Sequence, residues 1–514
     1  MRVLLVLAVL ALAAAIRFHQ VGHDLPLDLE PTNAPALDAF WYLEAAQGAA
    51  DGSHVDPVFA YDRPVWVGLA RVWFALRGTG IESSHELSAL LGVVGVLGVA
   101  LALRASRAGV LGALLLATSY PFAGLARTPL VYSPLGALLA LVFALHTSER
   151  PRARLAAWAL LLGLAWGFKG VALVLAPGLV LSDLARASRW RALALAAVAI
   201  ALALAGLAAI DPELVSWNLE RLRRYGAHGL TPENAAVRLV LAPELGRLVE
   251  LAPGLAGLAA VGATRWKRPV VLGAIGWAAT VVFGLSLLEW PDSPTTVVHP
   301  LRFYALAGPP LAMLAGTGLD ALLSSTPGRR AAPIVAGLVA ASVFAHFTRS
   351  YVAAAAAPVG LGAALLVGLV PLPALHVAPR RLLAVLVLVL VLVLDLRRDL
   401  VEMPTSLLDA NLAARRTLGD KAVLAGPYAS CLAAGSHLER RRAPFLFGGP
   451  RAREGIELAS REGFTHVALD RQQDLSARFA EGFAREGEPL TLVLTLRIRN
   501  GDVLVYRFHK AGTR

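Results

Sequence analysis

The stretch RLLAVLVLVLVLVLDL, residues 381–396, followed at once by Arg397, Arg398 and Asp399, decides how the rest of the chain is read. An unbroken apolar run from Leu382 to Leu394 with cations at both ends is what a lipid-facing membrane span looks like. Beyond Leu396 charged residues become frequent and apolar runs shrink to a few residues, the pattern of a segment in water. The boundary therefore predicts an α-helical polytopic membrane domain over 1–396 and a soluble α/β domain over 397–514. The whole chain agrees with a bilayer as solvent: of 514 residues 57% are hydrophobic and 16% charged, and the mean hydropathy is +0.61. Soluble domains are far more charged.

Working outward from that run, further apolar stretches fall at roughly 1–18, 86–103, 108–126, 129–146, 154–168, 170–184, 191–210, 249–264, 269–288, 301–323, 331–347 and 352–375. With 381–396 they predict about thirteen spans. The first, Val3 to Ile16 behind Arg2, has the outline of a secretory signal, but no small-x-small site precedes a soluble region and more apolar runs follow, so it is read as a retained span. The formal charge of +12 and pI near 10.4 would suit either nucleic-acid binding or arginine-rich membrane loops. Position decides for the loops. Every second loop is basic: Arg104 and Arg107; Arg150, Arg152 and Arg154; Arg186, Arg189 and Arg191; Arg265, Lys267 and Arg268; Arg329 and Arg330; Arg380 and Arg381. Since cytoplasmic loops hold positive charge, the N-terminus is expected in the cytoplasm of the plasma (inner) membrane and the C-terminal domain outside it, in the periplasm of a Gram-negative cell. No nucleic-acid partner is expected. The single cysteine, Cys431, excludes an internal disulfide, and no Cys/His set has zinc-ligand spacing.

Two external loops are long, about 19–85 and 211–248. Within the first, Pro64 to Leu76 is apolar but short and carries Arg71, which predicts a helix lying in the interface with its tryptophans at headgroup depth. In the second, Arg221, Arg223, Arg224 and Tyr225 suit an interface helix or a contact to acceptor or lipid phosphate. In the C-terminal segment, strand-like runs at Ala422–Leu424, His466–Leu469, Leu490–Ile498 and Val503–Phe508 alternate with helix-like stretches near 406–418, 451–462 and 474–486. A hairpin is expected to turn at Asn500-Gly501. His437 with Arg440, Arg441 and Arg442 reads as solvated surface.

Ionisable groups at the outer boundary of a membrane are costly and so are candidates for function. Four clusters lie on that side. Asp38 and Tyr42 share a helix face in Asp38-Ala39-Phe40-Trp41-Tyr42, followed by Tyr61-Asp62-Arg63-Pro64; the plain alternative is that Asp38 caps the helix beginning at Ala39. Arg127 stands in a short outer loop, Lys169 sits between two apolar runs in Gly167-Phe168-Lys169-Gly170, and His299-Pro300-Leu301-Arg302-Phe303-Tyr304 opens a late span. Each cation could be only a snorkelling anchor. Together they could bind a phosphate, arginine as a fork and lysine as a point charge.

The order of these motifs, an acidic first external loop, an aromatic-Asp-Arg-Pro stretch, an Ala-Arg loop, an in-membrane Phe-Lys-Gly and a late Arg-Phe-Tyr, resembles the polyprenol-phosphate-sugar-dependent glycosyltransferases of the C-type membrane superfamily. That group includes protein mannosyltransferases and the lipid A aminoarabinose transferase. The resemblance covers about the first 320 residues. It implies an inverting sugar transfer from a polyprenyl-phosphate donor to a hydroxyl of a protein, lipid or glycan outside the membrane. Asp38 matches the family's base, Lys169, Arg302, Arg127 and Tyr304 would surround the donor phosphate, and Tyr42, Tyr61, Asp62, Arg63 and His299 would contact substrate. Two departures stand out. Family members show Asp-Glu where this chain has Asp38-Ala39, and an acid a few positions after Ala-Arg where it has Tyr132-Ser133-Pro134. A divalent metal between loop carboxylates is therefore in doubt, and Asp28, Glu30, Glu44, Asp56 and Asp62 read more simply as solvated acids than as substitutes. The rival readings are a transporter or flippase of a lipid-linked or anionic solute, which usually has repeated halves not seen here, and a catalytically inactive envelope scaffold.

Overall fold

The computed structural model describes, isolated positions aside, residues 1–26, 38–51, 63–186, 251–286, 301–324, 403–440, 463–470 and 490–508, with a few positions within 194–205 and 385–401. The elements are α1 (Arg2–Phe18), α2 (Asp38–Trp41), α3 (Glu44–Asp51), α4 (Pro64–Arg77), α5 (Ile81–Ala102), α6 (Arg107–Thr118), α7 (Tyr120–Ala126), α8 (Tyr132–His146), α9 (Pro151–Gly167) and α10 (Ala176–Leu184). They continue with α11 (Pro253–Ala263), α12 (Pro269–Ser286), α13 (Gly308–Leu323), α14 (Ser406–Thr417), β1 (Val423–Ala425), α15 (Ala429–Ala433), β2 (Glu439–Arg440), β3 (His466–Asp470), β4 (Thr491–Ile498) and β5 (Gly501–Arg507). Tight 3-10 turns at Gly170–Leu175 and Leu301–Ala307 lead into α10 and α13. The chain divides into two compact units, one of Met1–Arg17, Leu90–Ala126 and Tyr132–Val401, the other of Phe18–Ala89, Arg127–Val131 and Glu402–Arg514.

The first unit is helical. Among the described residues, two helical stretches, Ile81–Ala102 and Arg302–Leu323, are long and apolar enough to cross a membrane, and Tyr132–His146, Gly170–Leu184, Gly254–Ala263 and Pro269–Phe283 are shorter apolar helices. Its centre is α13, packed on α6 and α11. Glycines set the spacing: a Cβ on Gly262 would meet the Leu314 carbonyl oxygen at 1.9 Å, and one on Gly316 would meet that of Ala108 at 2.3 Å. In lipid, where no hydrophobic force joins helices, such close backbone approach is what supplies dispersion contact.

The span expected over 108–126 is not one straight helix. It breaks at Ser119, with α6 and α7 meeting at 67°. Pro121, which has no amide hydrogen to give the Ala117 carbonyl, ends the first helix here, and the carbonyls left open are met from far away in sequence. Arg17 on α1 is buried and donates to the carbonyls of Leu116 and Ala117, both at 3.0 Å. A buried helix end needs partners for its last carbonyls, and a cation is the favourable one at a C-terminus. The expected runs at 331–347 and 352–375, and most of 191–210 and 381–396, lie outside the described residues.

The second unit combines residues 18–89, which include the segment expected as the first external loop, and 127–131 with the C-terminal segment. Helix α4 buries Trp66, Val67, Ala70 and Phe74 and leaves Val65, Leu69, Val72 and Leu76 exposed. That apolar stripe is what an interfacial helix offers lipid, but the tryptophans expected at headgroup depth are a correction: Trp66 is fully buried in the protein and Trp73 partly so. Bidentate hydrogen bonds from Arg77 to Glu86 (2.7 and 2.9 Å) and one from the Trp73 indole to the Ser83 carbonyl (2.8 Å) join α4 to α5. The sheet is small, with order β2-β1-β3-β5-β4; β1 lies parallel to β2 and β3, while β5 is antiparallel to β3 and β4. All four strand-like runs are strands, and α14 matches the helix expected near 406–418. The helices expected near 451–462 and 474–486 lie outside the described residues. Glu439 and Arg440 form the edge strand β2, while His437, Arg441 and Arg442 lie outside the described residues. The hairpin turn is a correction. Ile498 pairs with Gly501 and Arg499 has φ 46°, so the loop starts at Arg499, one residue earlier than the Asn-Gly signal implied.

Candidate functional site

Lys169 follows α9 in extended conformation (φ −169°, ψ 136°), directly before the 3-10 turn. The extended residue interrupts the helical path and turns the lysine toward the start of α8. There its ammonium donates to the Tyr132 hydroxyl at 2.5 Å and lies 4.1 Å from that ring's centroid. Tyr132 in turn meets Phe303 edge-on, with centroids 4.6 Å apart and planes at 73°. The Arg302 guanidinium carbon is 5.2 Å from the Phe303 centroid, and Tyr304 is buried beside them in the same 3-10 turn. Three segments far apart in sequence thus bring two cations onto one aromatic pair. Cation–π contact stabilises a charge without neutralising it, so these ring contacts leave the positive charge of both side chains in place.

Tyr132 was not singled out by sequence reasoning. The signal was present in the resemblance, which implied an acid at the positions where this chain has Tyr132-Ser133-Pro134.

In the second unit, Asp38 is the first residue of α2 and not the residue before it, and Ala39, Phe40 and Leu43 are fully buried. Glu44 and Gln47 on α3 are buried too, so Glu44 is not the solvated loop acid it resembled. Arg63 precedes α4 and is partly buried. Arg127 is buried, and its loop is pinned by the Ser88 hydroxyl donating to the Thr128 carbonyl at 2.7 Å. Tyr42, Tyr61, Asp62 and His299 lie outside the described residues, as do Asp28, Glu30 and Asp56. Among the described residues no three His, Cys, Asp or Glu side chains gather as a metal-binding group.

A second polar cluster lies at the other ends of the same helices. His146 Nε2 is 3.0 Å from Asp183 Oδ2, Arg154 and Arg186 lie 3.6 and 3.9 Å from Asp183 Oδ1, and Arg186 donates to the carbonyls of His146 and Thr147 at 3.2 and 3.3 Å. It ties together the ends of α8, α9 and α10 at the loops where the basic residues concentrate.

No family model matches the chain, and no curated protein matches it in sequence. Solved structures do. The chain is similar to ArnT from Cupriavidus metallidurans bound to undecaprenyl phosphate, with a TM-score of 0.55 at 16% identity, covering 99% of this chain and 98% of that one. The apo state of the same protein gives a TM-score of 0.52 at 17% identity, covering 98% and 97%. The chain thus shares the overall fold of ArnT.

Proposed function

We propose that this chain is a membrane glycosyltransferase that moves a hexose or pentose from a polyprenyl-phosphate donor to an acceptor hydroxyl on the extracytoplasmic side, with inversion. In this reading about thirteen spans carry the donor site, the N-terminus is cytoplasmic, and residues 397–514 form an α/β domain outside the plasma membrane. The observation that carries it is the meeting of Lys169 and Arg302 on the Tyr132–Phe303 pair. Support comes from the fold, which in ArnT accommodates undecaprenyl phosphate.

The chemistry is a single displacement. Asp38 takes the proton of the acceptor hydroxyl, the oxygen forms a bond to the anomeric carbon, and the bond from that carbon to the phosphate oxygen breaks with its electron pair leaving on the phosphate. The departing polyprenyl phosphate gains one negative charge, and Lys169, Arg302 and Arg127 stabilise it as it develops. Tyr304 positions the phosphate, and Tyr42, Tyr61, Asp62, Arg63 and His299 line the sugar and acceptor path. The acceptor is a protein, lipid or glycan hydroxyl, and no step runs through a metal.

The test is Asp38→Asn in the full-length protein in nanodiscs, supplied with a panel of synthetic undecaprenyl-phosphate hexoses and pentoses plus envelope extract. Wild type should convert one donor to undecaprenyl phosphate; the variant should lose at least about 100-fold in rate, the scale of a general-base contribution, while still binding undecaprenyl phosphate. Full activity in the variant removes Asp38 as base. Donor that is moved across the bilayer without being consumed identifies a flippase instead.

A further inference from the structure

Asp24 sits in the first external loop, yet it caps a helix that begins 382 residues later. Its backbone N–H donates to the Pro404 carbonyl at 2.8 Å. Its carboxylate accepts from the Ser406 amide (3.1 Å), the Ser406 hydroxyl (2.5 Å) and the Leu407 amide (3.3 Å). Thr405, the residue at the local N-cap position of α14, makes no side-chain cap of its own. The cap is therefore supplied from another part of the chain, and Asp24 is 8% exposed. The Ser406 hydroxyl also accepts from the Arg499 amide at 2.6 Å, and the Arg499 guanidinium donates to the Leu25 carbonyl at 2.6 Å. Residues 24–25, 404–407 and 499 thus close a ring of hydrogen bonds between the loop, helix α14 and the β4–β5 turn. Gly22, at φ +84°, lets the loop pass: a Cβ there would meet Glu82 at 3.2 Å and Leu408 at 3.9 Å.

The ring continues inward. Buried Asn411 on α14 donates to the carbonyls of Cys431, Leu432 and Ala434 at 3.0, 2.9 and 3.1 Å, satisfying the C-terminal end of α15. Helix α15 packs against α2, the helix that begins with Asp38. A polar linkage thus runs from Asp24 through α14 and Asn411 to α15, and α15 bears the Asp38 helix. Every step lies within one compact unit. Capping and buried amide contacts of this kind fix geometry more than they add stability.

We infer that Asp24 and Asn411 are positioning residues, and that the C-terminal segment sets the orientation of α2 and hence of Asp38. The functional part of this inference rests on the glycosyltransferase reading; the structural coupling does not. Loss of the cap should loosen α2 and α3 and lower the rate of transfer, while leaving Lys169 and Arg302, in the first unit, undisturbed.

The experiment uses the full chain in nanodiscs with Asp24→Ala, Asp24→Asn and Ser406→Ala. Asparagine caps as well as aspartate does, so Asp24→Asn should rescue. Amide hydrogen exchange over residues 38–47 should speed up at least about 10-fold in Asp24→Ala and remain near wild type in Asp24→Asn, while Kd for undecaprenyl phosphate alone stays within twofold in both. Where wild type turns over a donor from the synthetic panel, kcat should fall about 10- to 100-fold in Asp24→Ala with donor KM unchanged. Ser406→Ala keeps both amide caps and removes only the shared hydroxyl; it should show the same pattern at about a third to a tenth of the size, and it carries the test if Asp24→Ala does not fold. Unchanged exchange over 38–47 in a folded capless variant overturns the coupling. Faster exchange with kcat intact overturns the positioning role. If wild type consumes no donor, the glycosyltransferase reading fails and the exchange data still decide the coupling.

Discussion

Removal of the Lys169 charge is the perturbation whose size can be worked most directly. A unit charge about 4 Å from a phosphate oxygen interacts by roughly 4 kcal/mol at an effective dielectric near 20. In the free protein that ammonium already has the Tyr132 hydroxyl and ring as partners. Giving up or sharing a hydrogen bond with a charged group returns about 1.5–3 kcal/mol. The difference leaves about 2 kcal/mol for phosphate binding, a factor of roughly 30 in affinity. Lys169→Met, which keeps the apolar stem, should therefore weaken undecaprenyl phosphate binding about 30-fold. Tyr132→Phe keeps the ring against Phe303 and the cation–π contact but removes the hydroxyl that competes for the ammonium, so by the same arithmetic it should tighten undecaprenyl phosphate binding, by about 10-fold or more. The assay is native mass spectrometry of nanodisc-embedded protein titrated with undecaprenyl phosphate, with Lys169→Arg as a charge-retaining control. Affinity within twofold of wild type for a folded Lys169→Met refutes the assignment of Lys169 to the phosphate, and equal losses for Tyr132→Phe and Lys169→Met would show that packing, not charge, is what matters.

The remaining expectations concern the C-terminal segment. Burial, with a smaller contribution from the Arg507 cation, pushes the His466 imidazole down to about 4. The folded form holds this histidine neutral while an unfolded chain protonates it near 6.5, so its contribution to stability is complete above that pH and is lost as pH falls toward 4. His466→Gln should flatten the decline of Tm over that window; an unchanged slope would remove His466 as its source. The Cys431 thiol, fully buried and donating to the Tyr428 carbonyl at 3.2 Å, is pushed up to about 12. A maleimide should therefore label the native protein at least about 100-fold more slowly than the denatured chain, because the thiolate is the reactive form; fast native labelling would contradict the packing of α15.

What the sequence disclosed and what it withheld follow a physical division. Apolar runs near 86–103 and 301–323 were legible because span length and composition are local properties, and Lys169 was legible because a cation set between two apolar runs is costly to keep there. The bend at Ser119 had a local signal in Pro121, but the Arg17 side chain that satisfies the carbonyls it leaves open arrives from another helix and was not legible. Tyr132 escaped because an aromatic residue opening an apolar helix reads as core until a cation is seen beside it. The hairpin at residues 496–505 was found, but Asn-Gly placed its turn one residue late because Arg499 itself takes the left-handed conformation. The tie between Asp24 and Ser406 leaves no local signature at all, since a capping aspartate so far from its helix looks like any other loop acid.

The most direct test is a cryo-EM map of the full chain in nanodiscs with undecaprenyl phosphate bound. The phosphate should lie within hydrogen-bond reach of both the Lys169 ammonium and the Arg302 guanidinium, beside the Tyr132–Phe303 pair. A lipid phosphate bound elsewhere, with those two side chains turned to bulk water or acyl chains, would contradict the account.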